Sequence, residues 1–117
     1  MPDFLKQRHQ MVDLHIARRG VRDRHVLSAM REVPRERFVP EELSEFAYED
    51  APLPIEAEQT ISQPYIVAAM IEAAEIAPDD RVLEVGAGSG YAAAVISRIA
   101  GEVFAIERHE EIGRAHV

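Results

Sequence analysis

The chain has 117 residues, enough for one small domain with a modest core and too few for two ordinary domains. Thirteen Lys plus Arg against 21 Asp plus Glu give a net charge of −8, which argues against a nucleic-acid backbone or an anionic membrane surface as partner. With 47% hydrophobic and 29% charged residues and no cysteine, the composition is that of a soluble globular chain without disulfides, thiolate metal sites or a thiol nucleophile.

No apolar run approaches the roughly 20 residues of a membrane helix. The start, Met1-Pro2-Asp3, lacks the basic and apolar regions of a secretory leader, so a cytoplasmic setting is expected. Leu5, Val12 and Ile16 fall near helical spacing, and Gly20 is a suitable stop. Asp23 is placed to cap a second helix carrying Val26, Leu27 and Met30, which Pro34 ends because the residue before a proline is driven out of helical geometry. Prolines 34, 40, 52 and 54 then break the chain. Glu41 to Phe46 suits one or two helical turns, and Ala47 to Gln59 reads as an extended connection.

A new helix opens at Thr60-Ile61-Ser62-Gln63-Pro64, with Ser62 as N-cap and Pro64 in the first turn, where its missing N–H costs nothing. Its apolar stripe is Ile66, Val67, Met70, Ile71 and Ala74. Arg81 to Val85 reads as a strand, Gly86 to Gly90 as a glycine-rich turn, and Tyr91 to Ala100 as a helix ending on Gly101 at C′. Val103 to Ile106 is a second strand, running into Glu107. A strand–turn–helix–strand unit implies a parallel pair with a right-handed crossover.

The chemistry concentrates in this unit. A glycine turn after a strand lets a ligand approach the backbone, and an acidic residue ending the next strand can accept from both ribose hydroxyls. Glu107 lies 21 residues after Gly86, close to the spacing of nucleotide folds. The pattern Gly86-x-Gly88-x-Gly90 differs from that of dinucleotide binders, whose third glycine falls where Tyr91 stands here. Glu84, just before the turn, would repel a pyrophosphate and suit a cationic amino group. S-adenosyl-L-methionine carries a ribose, an amino group and a sulfonium but no phosphate, and fits these residues better than NAD. Each feature alone has an ordinary structural explanation as a turn or a solvated strand end; their joint order and spacing favour the cofactor.

Val82-Leu83-Glu84-Val85-Gly86-Ala87-Gly88-Ser89-Gly90-Tyr91 resembles the first motif of the protein-L-isoaspartate O-methyltransferases. Val33-Pro34-Arg35-Glu36-Arg37-Phe38-Val39-Pro40 is similar to that family's N-terminal signature, Ala47 to Ile55 to its following loop, and Gln59-Thr60-Ile61-Ser62-Gln63-Pro64-Tyr65 to its substrate-side motif. The resemblance runs from Met11 to about Glu111. It implies an α/β, Rossmann-like S-adenosylmethionine-dependent methyltransferase fold, incomplete, preceded by an N-terminal helical segment.

The implied activity is methylation of the α-carboxylate of L-isoaspartyl residues in damaged proteins and peptides, a repair reaction. By the same resemblance Gln59, Thr60, Ile61, Ser62, Glu84, Gly86, Ala87, Gly88, Ser89, Gly90 and Glu107 hold the cofactor, and Ser62 also serves catalysis. The acceptor is already ionised at neutral pH, so it needs no general base, and Ser62 reads as a donor that aims it rather than as a nucleophile. No metal is implied. The five histidines, His9, His15, His25, His109 and His116, read as structural, and Glu41, Glu42, Glu45, Glu49 and Asp50 as a solvated acidic face.

The expected organisation is residues 1–59 as a helical and loop segment of the same domain, 60–111 as the first part of the Rossmann-like core, and 112–117 as a non-native tail. Ile112-Gly113-Arg114-Ala115-His116-Val117 departs from the family pattern and matches what a common short-read sequencing adapter encodes in one frame. Only two strands are expected, the second with an unpaired side, and the apolar faces of the strands and of the helix from Tyr91 are expected to lack cover. The chain is therefore expected to be an enzyme by descent, inactive alone, with its oligomeric state open. The rival readings are a methyltransferase with another acceptor, a non-catalytic nucleotide-binding module and, more remotely, an NAD-dependent enzyme.

Overall fold

A computed structural model of the chain describes residues 2–55 and 58–107 in full and the backbone of residues 112–114. Helix α1 (Phe4–Gln10) starts on Asp3, whose carboxylate accepts from the Lys6 N–H at 3.0 Å, and runs into a π-helix over Met11–Ala17. The change of hydrogen-bond period turns the buried face. Met11, Val12 and Ile16 are buried, whereas Leu5, expected on the same stripe, is 56% exposed. Gly20 then closes the helix with φ of 112°.

Helix α2 (Arg24–Glu32) is capped as expected: the Asp23 carboxylate accepts from the N–H groups of His25 and Val26 at 2.8 and 3.3 Å. A second acid, not anticipated, accepts just ahead of it. Glu72 Oε2 takes the N–H groups of Arg22 and Asp23 at 2.7 and 2.8 Å, tying the entry of α2 to the next long helix. Val33 ends α2 in extended geometry before Pro34. Two 3-10 helices follow, Arg35–Phe38 and Glu41–Phe46. The connection beyond them is more ordered than expected: strands β1 (Leu53–Pro54) and β2 (Thr60–Ile61) pair antiparallel.

Helix α3 (Pro64–Ala73) has Gln63, not Ser62, at its N-cap. Pro64 at the first helical position sets that boundary. Neither side chain caps the helix. Gln63 Nε2 donates instead to Asp50 Oδ1 at 2.6 Å, which leaves Ser62 outside the helix and exposed. The α3 stripe is only partly covered. Val67 and Ile71 are buried, but Met70 is 69% exposed.

Strands β3 (Arg81–Val85) and β4 (Glu102–Ile106) pair in parallel, Val85 beside Ile106, with α4 (Tyr91–Ser97) as the crossover. The helix is shorter than expected, and Gly101 does not have the left-handed conformation of a C′ glycine. Gly101 is needed for proximity. A Cβ there would lie 3.1 Å from the Pro78 carbonyl oxygen, and its N–H donates to the Asp80 carbonyl at 2.9 Å. A third strand, β5 (Ile112–Arg114), pairs antiparallel with β4, so the side of β4 expected to be open is occupied, as satisfaction of its backbone groups favours. The remaining residues of the expected tail, and His109 and His116, lie outside the described residues.

One buried cluster joins the N-terminal helices to the sheet, from Met11, Ile16, Val26 and Met30 through Ile61 and Ile71 to Tyr91, Val95 and Val103. On α4, Tyr91, Ala93, Val95 and Ile96 are buried and Ala92 and Ala94 partly so, more cover than expected, whereas one face of β3 is open, with Leu83 58% and Val85 74% exposed. Among the described residues no helix is long and apolar enough to cross a membrane. Since the Asp23 carboxylate satisfies two otherwise open N–H groups, Asp23→Ala should cost about 1 kcal/mol in urea unfolding, whereas Asp23→Asn should cost a few tenths.

Candidate functional site

The parallel register ends β3 and β4 together, and the turn between β3 and α4 folds over that end. The N–H groups of Gly86 and Ala87 both donate to the Ile106 carbonyl, at 2.7 and 3.1 Å. Gly86, Gly88 and Gly90 all have positive φ, a conformation that L side chains rarely adopt. A Cβ on Gly86 or Gly88 would meet nothing within 4 Å, so these glycines serve the path of the turn and leave open space before it. Ser89 Oγ accepts from the Tyr91 N–H at 3.2 Å, and Gly90 stands at the N-cap of α4.

A cavity of about 110 Å³ brings together most of the residues the sequence singled out: Thr60, Ile61, Ser62, Glu84, and Gly86 to Ser89. Gln59 lines a neighbouring cavity of about 410 Å³ that shares Gly88 and Ser89. Gln59 Nε2 also donates to Glu107 Oε1 at 3.5 Å, so Glu107 joins the group without lining either cavity. Gly90 lines neither cavity and acts through the turn.

Glu84 and Glu107 are electrostatically coupled. Removal from water, and secondarily the charge of Glu107, holds the Glu84 carboxyl above the usual carboxylate range. Among the described residues Glu84 Oε1 is buried with no hydrogen-bond partner. A buried acceptor beside a second acid is an arrangement that a cationic donor would satisfy.

Sequence reasoning missed two contributions. The signature segment itself lines the larger cavity through Arg37, Phe38, Val39 and Pro40. Its bracketing prolines were the available signal. Tyr91, noted only as a bulky residue where dinucleotide binders have glycine, is turned into the core. Its ring meets Phe38 edge-on at 5.6 Å, its hydroxyl donates to Met30 Sδ at 3.7 Å, and burial pushes its phenol up to about 12. His9, His15 and His25 line neither cavity, and His15 Nδ1 lies 3.8 Å from Asp50 Oδ2. Among the described residues no group of three or more His, Cys, Asp or Glu is arranged to hold a metal ion.

The sequence profile of the protein-L-isoaspartate(D-aspartate) O-methyltransferase family matches residues 6–116. The chain is 60% identical over 115 residues to the protein-L-isoaspartate O-methyltransferase of Methylorubrum extorquens, which covers 98% of this chain and 50% of that protein. It is 64% identical over 105 residues to protein-L-isoaspartate O-methyltransferase 1 of Rhodopseudomonas palustris, 90% of this chain and 43% of that one. A solved structure from Plasmodium falciparum, described as a beta-aspartate methyltransferase in complex with S-adenosyl-L-homocysteine, superimposes with a TM-score of 0.74 at 25% identity, over 88% of this chain and 50% of that one. The chain thus spans about half the length of the curated relatives it matches. A profile match over nearly the whole sequence, with identity of this degree along it, makes the chain a member of the protein-L-isoaspartate(D-aspartate) O-methyltransferase family.

Proposed function

We propose that the chain holds S-adenosyl-L-methionine at the ends of β3 and β4 and serves methyl transfer from it to the α-carboxylate of L-isoaspartyl residues in damaged proteins and peptides. The carrying observation is that one small cavity gathers the substrate-side strand, the glycine turn and an unsatisfied carboxylate. The bound cofactor would supply a methyl group activated by a sulfonium. The residues present fit it: the turn leaves open space, Glu84 offers a buried acceptor, and Glu107 stands at the strand end where a ribose would be gripped.

In this reading Glu84 receives the cofactor's amino group and Glu107 its ribose hydroxyls. Ser62, exposed on the rim of the cavity, donates to the acceptor carboxylate and fixes its direction. No residue need remove a proton, because the acceptor is ionised at neutral pH. The contribution of the chain is then proximity and orientation. The acidic, cysteine-free composition fits cytoplasmic work on peptide acceptors.

Calorimetry with S-adenosyl-L-homocysteine tests the cofactor assignment. Micromolar binding is expected, weakened at least tenfold in Glu107→Ala; an affinity indifferent to that substitution refutes the site. Labelled-methyl transfer to an isoaspartyl peptide and to its aspartyl isomer tests the acceptor, and equal labelling of the two would overturn it.

The raised carboxyl of Glu84 gives a second test. Below the usual carboxylate range, about pH 4, Glu84 is protonated in both folded and unfolded chains and carries no penalty. As pH rises, the unfolded chain ionises first, and the folded chain loses relative stability that it does not regain at neutral pH. Glu84→Gln should therefore stabilise the free chain at pH 7 by up to about 1 kcal/mol, solvent screening keeping the effect small, and leave it unchanged below about pH 3. The same substitution should weaken S-adenosyl-L-homocysteine binding about tenfold. It should also abolish the tightening with rising pH expected of the unsubstituted chain, where a cationic ligand favours ionised Glu84. Thermal unfolding and calorimetry across that range check both.

A further inference from the structure

Among the described residues one charged side chain is fully buried, Arg35, at 0% exposure. It opens the first 3-10 helix, immediately after Pro34. Its guanidinium reaches three separate segments. Nε donates to the Ala47 carbonyl at 2.6 Å, Nη2 donates to the Ser62 carbonyl at 2.8 Å, and the guanidinium carbon lies 4.8 Å over the ring of Tyr91. Among the described residues it has no carboxylate partner within ion-pair distance. A buried charge is costly unless its donors are used. Here Nε and Nη2 are used, whereas Nη1 is buried with no hydrogen-bond partner among the described residues. A planar fork is the side-chain shape that can serve two carbonyls and a ring face at once.

The segment it grips is anchored by the buried Ile61 and by side-chain hydrogen bonds of Gln59 and Gln63, but by few ladder bonds. Strand β2 is two residues long and, among the described residues, pairs with the two residues of β1. Ser62 follows it, exposed and outside α3. Tyr91 is the first residue of α4, directly after the glycine turn. One side chain therefore spans the strand that presents Ser62 and the helix that anchors the turn.

We propose that Arg35 is a positioning residue that holds the Ser62 carbonyl, and through it the Ser62 side chain, in fixed relation to the glycine turn. Its functional meaning rests on the reading of Ser62 and the turn given above; the mechanical part stands on geometry alone. Lysine at this position would keep the charge but lose the fork and the stacking.

Hydrogen exchange on the full chain tests the mechanical part without a ligand. In Arg35→Lys the amides of residues 60–63 should exchange at least tenfold faster, while those of α2 keep their protection. Unchanged exchange at residues 60–63, or an equal rise across α2, overturns the proposal, the second because it marks a general packing role. Arg35→Met, which removes the charge as well, should give the same local pattern; should it fail to fold, the lysine variant still decides.

Calorimetry with S-adenosyl-L-homocysteine tests the functional part. Arg35→Lys should weaken binding about tenfold, and full affinity in that variant overturns the link to the site. An unsubstituted chain that binds nothing would instead count against the proposed cofactor, leaving the exchange experiment to judge Arg35.

Discussion

The parallel register of β3 on β4 governs where everything else can be. With Val85 beside Ile106, both strands stop at one edge, and the chain leaving β3 must turn over the end of β4 to start α4. Two N–H groups of that turn share the Ile106 carbonyl, so the turn is tied to the neighbouring strand and not only to its own. The same register brings Glu107 alongside. Glu84 and Glu107 are consequently close enough for one to oppose ionisation of the other. The fold tolerates this because Glu84 keeps partial access to solvent. Holding two acids this close costs stability of the chain, and a cation between them would relieve that cost.

The N-terminal half acts on this site through polar clamps as well as through apolar packing. Arg8 donates to the Tyr48 hydroxyl at 2.9 Å and to the Arg31 carbonyl at 3.4 Å, while the Tyr48 hydroxyl donates to Glu36. Arg8 also pairs with Glu36 at 3.5 Å. This links α1, the end of α2, the signature segment and the loop beyond it. On the other side of that loop Asp50 accepts from Gln63 and from Arg19, whose guanidinium lies 4.5 Å over the Tyr65 ring. The loop from Ala47 to Asp50 is thus held from both ends, and it supplies one of the two carbonyls that Arg35 uses. Long irregular connections need such ties, since few backbone ladders are available to them.

Much of this was legible in the sequence, and the failures have physical causes. The Asp23 cap, the Pro34 stop, both parallel strands and the glycine turn follow from local rules that tertiary contacts did not override. Ser62 was misread as a cap because the preference for serine at that position ignores Pro64, which shifts the boundary by one residue. Gly101 was read as a helix terminator from its place after an apolar run, whereas its role depends on the approach of Pro78, which lies far off in sequence. Leu5 and Met70 fit a helical stripe but face solvent, because periodicity gives the width of an apolar face and not the area that neighbours cover. Arg35 could not be found this way at all. Its three partners come from separate parts of the chain, and nothing in Pro34-Arg35-Glu36 distinguishes a buried arginine from a solvated one.

The uncovered face of β3 bears on how this chain can act. Leu83 and Val85 are exposed, and together with Ile66, Met70 and Ile76 they border a groove of about 360 Å³ that runs up to Glu84 and Gly86. The site therefore has walls of two kinds. The turn, the β2 strand and the acidic pair form a fixed wall, locked by hydrogen bonds to β4 and by the Arg35 clamp. The groove side is apolar, open and continuous with the edge of β3. A ligand held by the fixed wall alone keeps its polar contacts but remains wet on its other side, where electrostatic attraction is weakened by solvent. In the proposed function, recognition of a charged, hydroxylated ligand would depend mostly on the first wall. Alignment of a methyl group with its acceptor depends on enclosure, because effective concentration falls steeply once either reactant can tilt. On the proposed reading binding and turnover are for this reason separable, with the residues proposed to govern binding concentrated on the fixed wall.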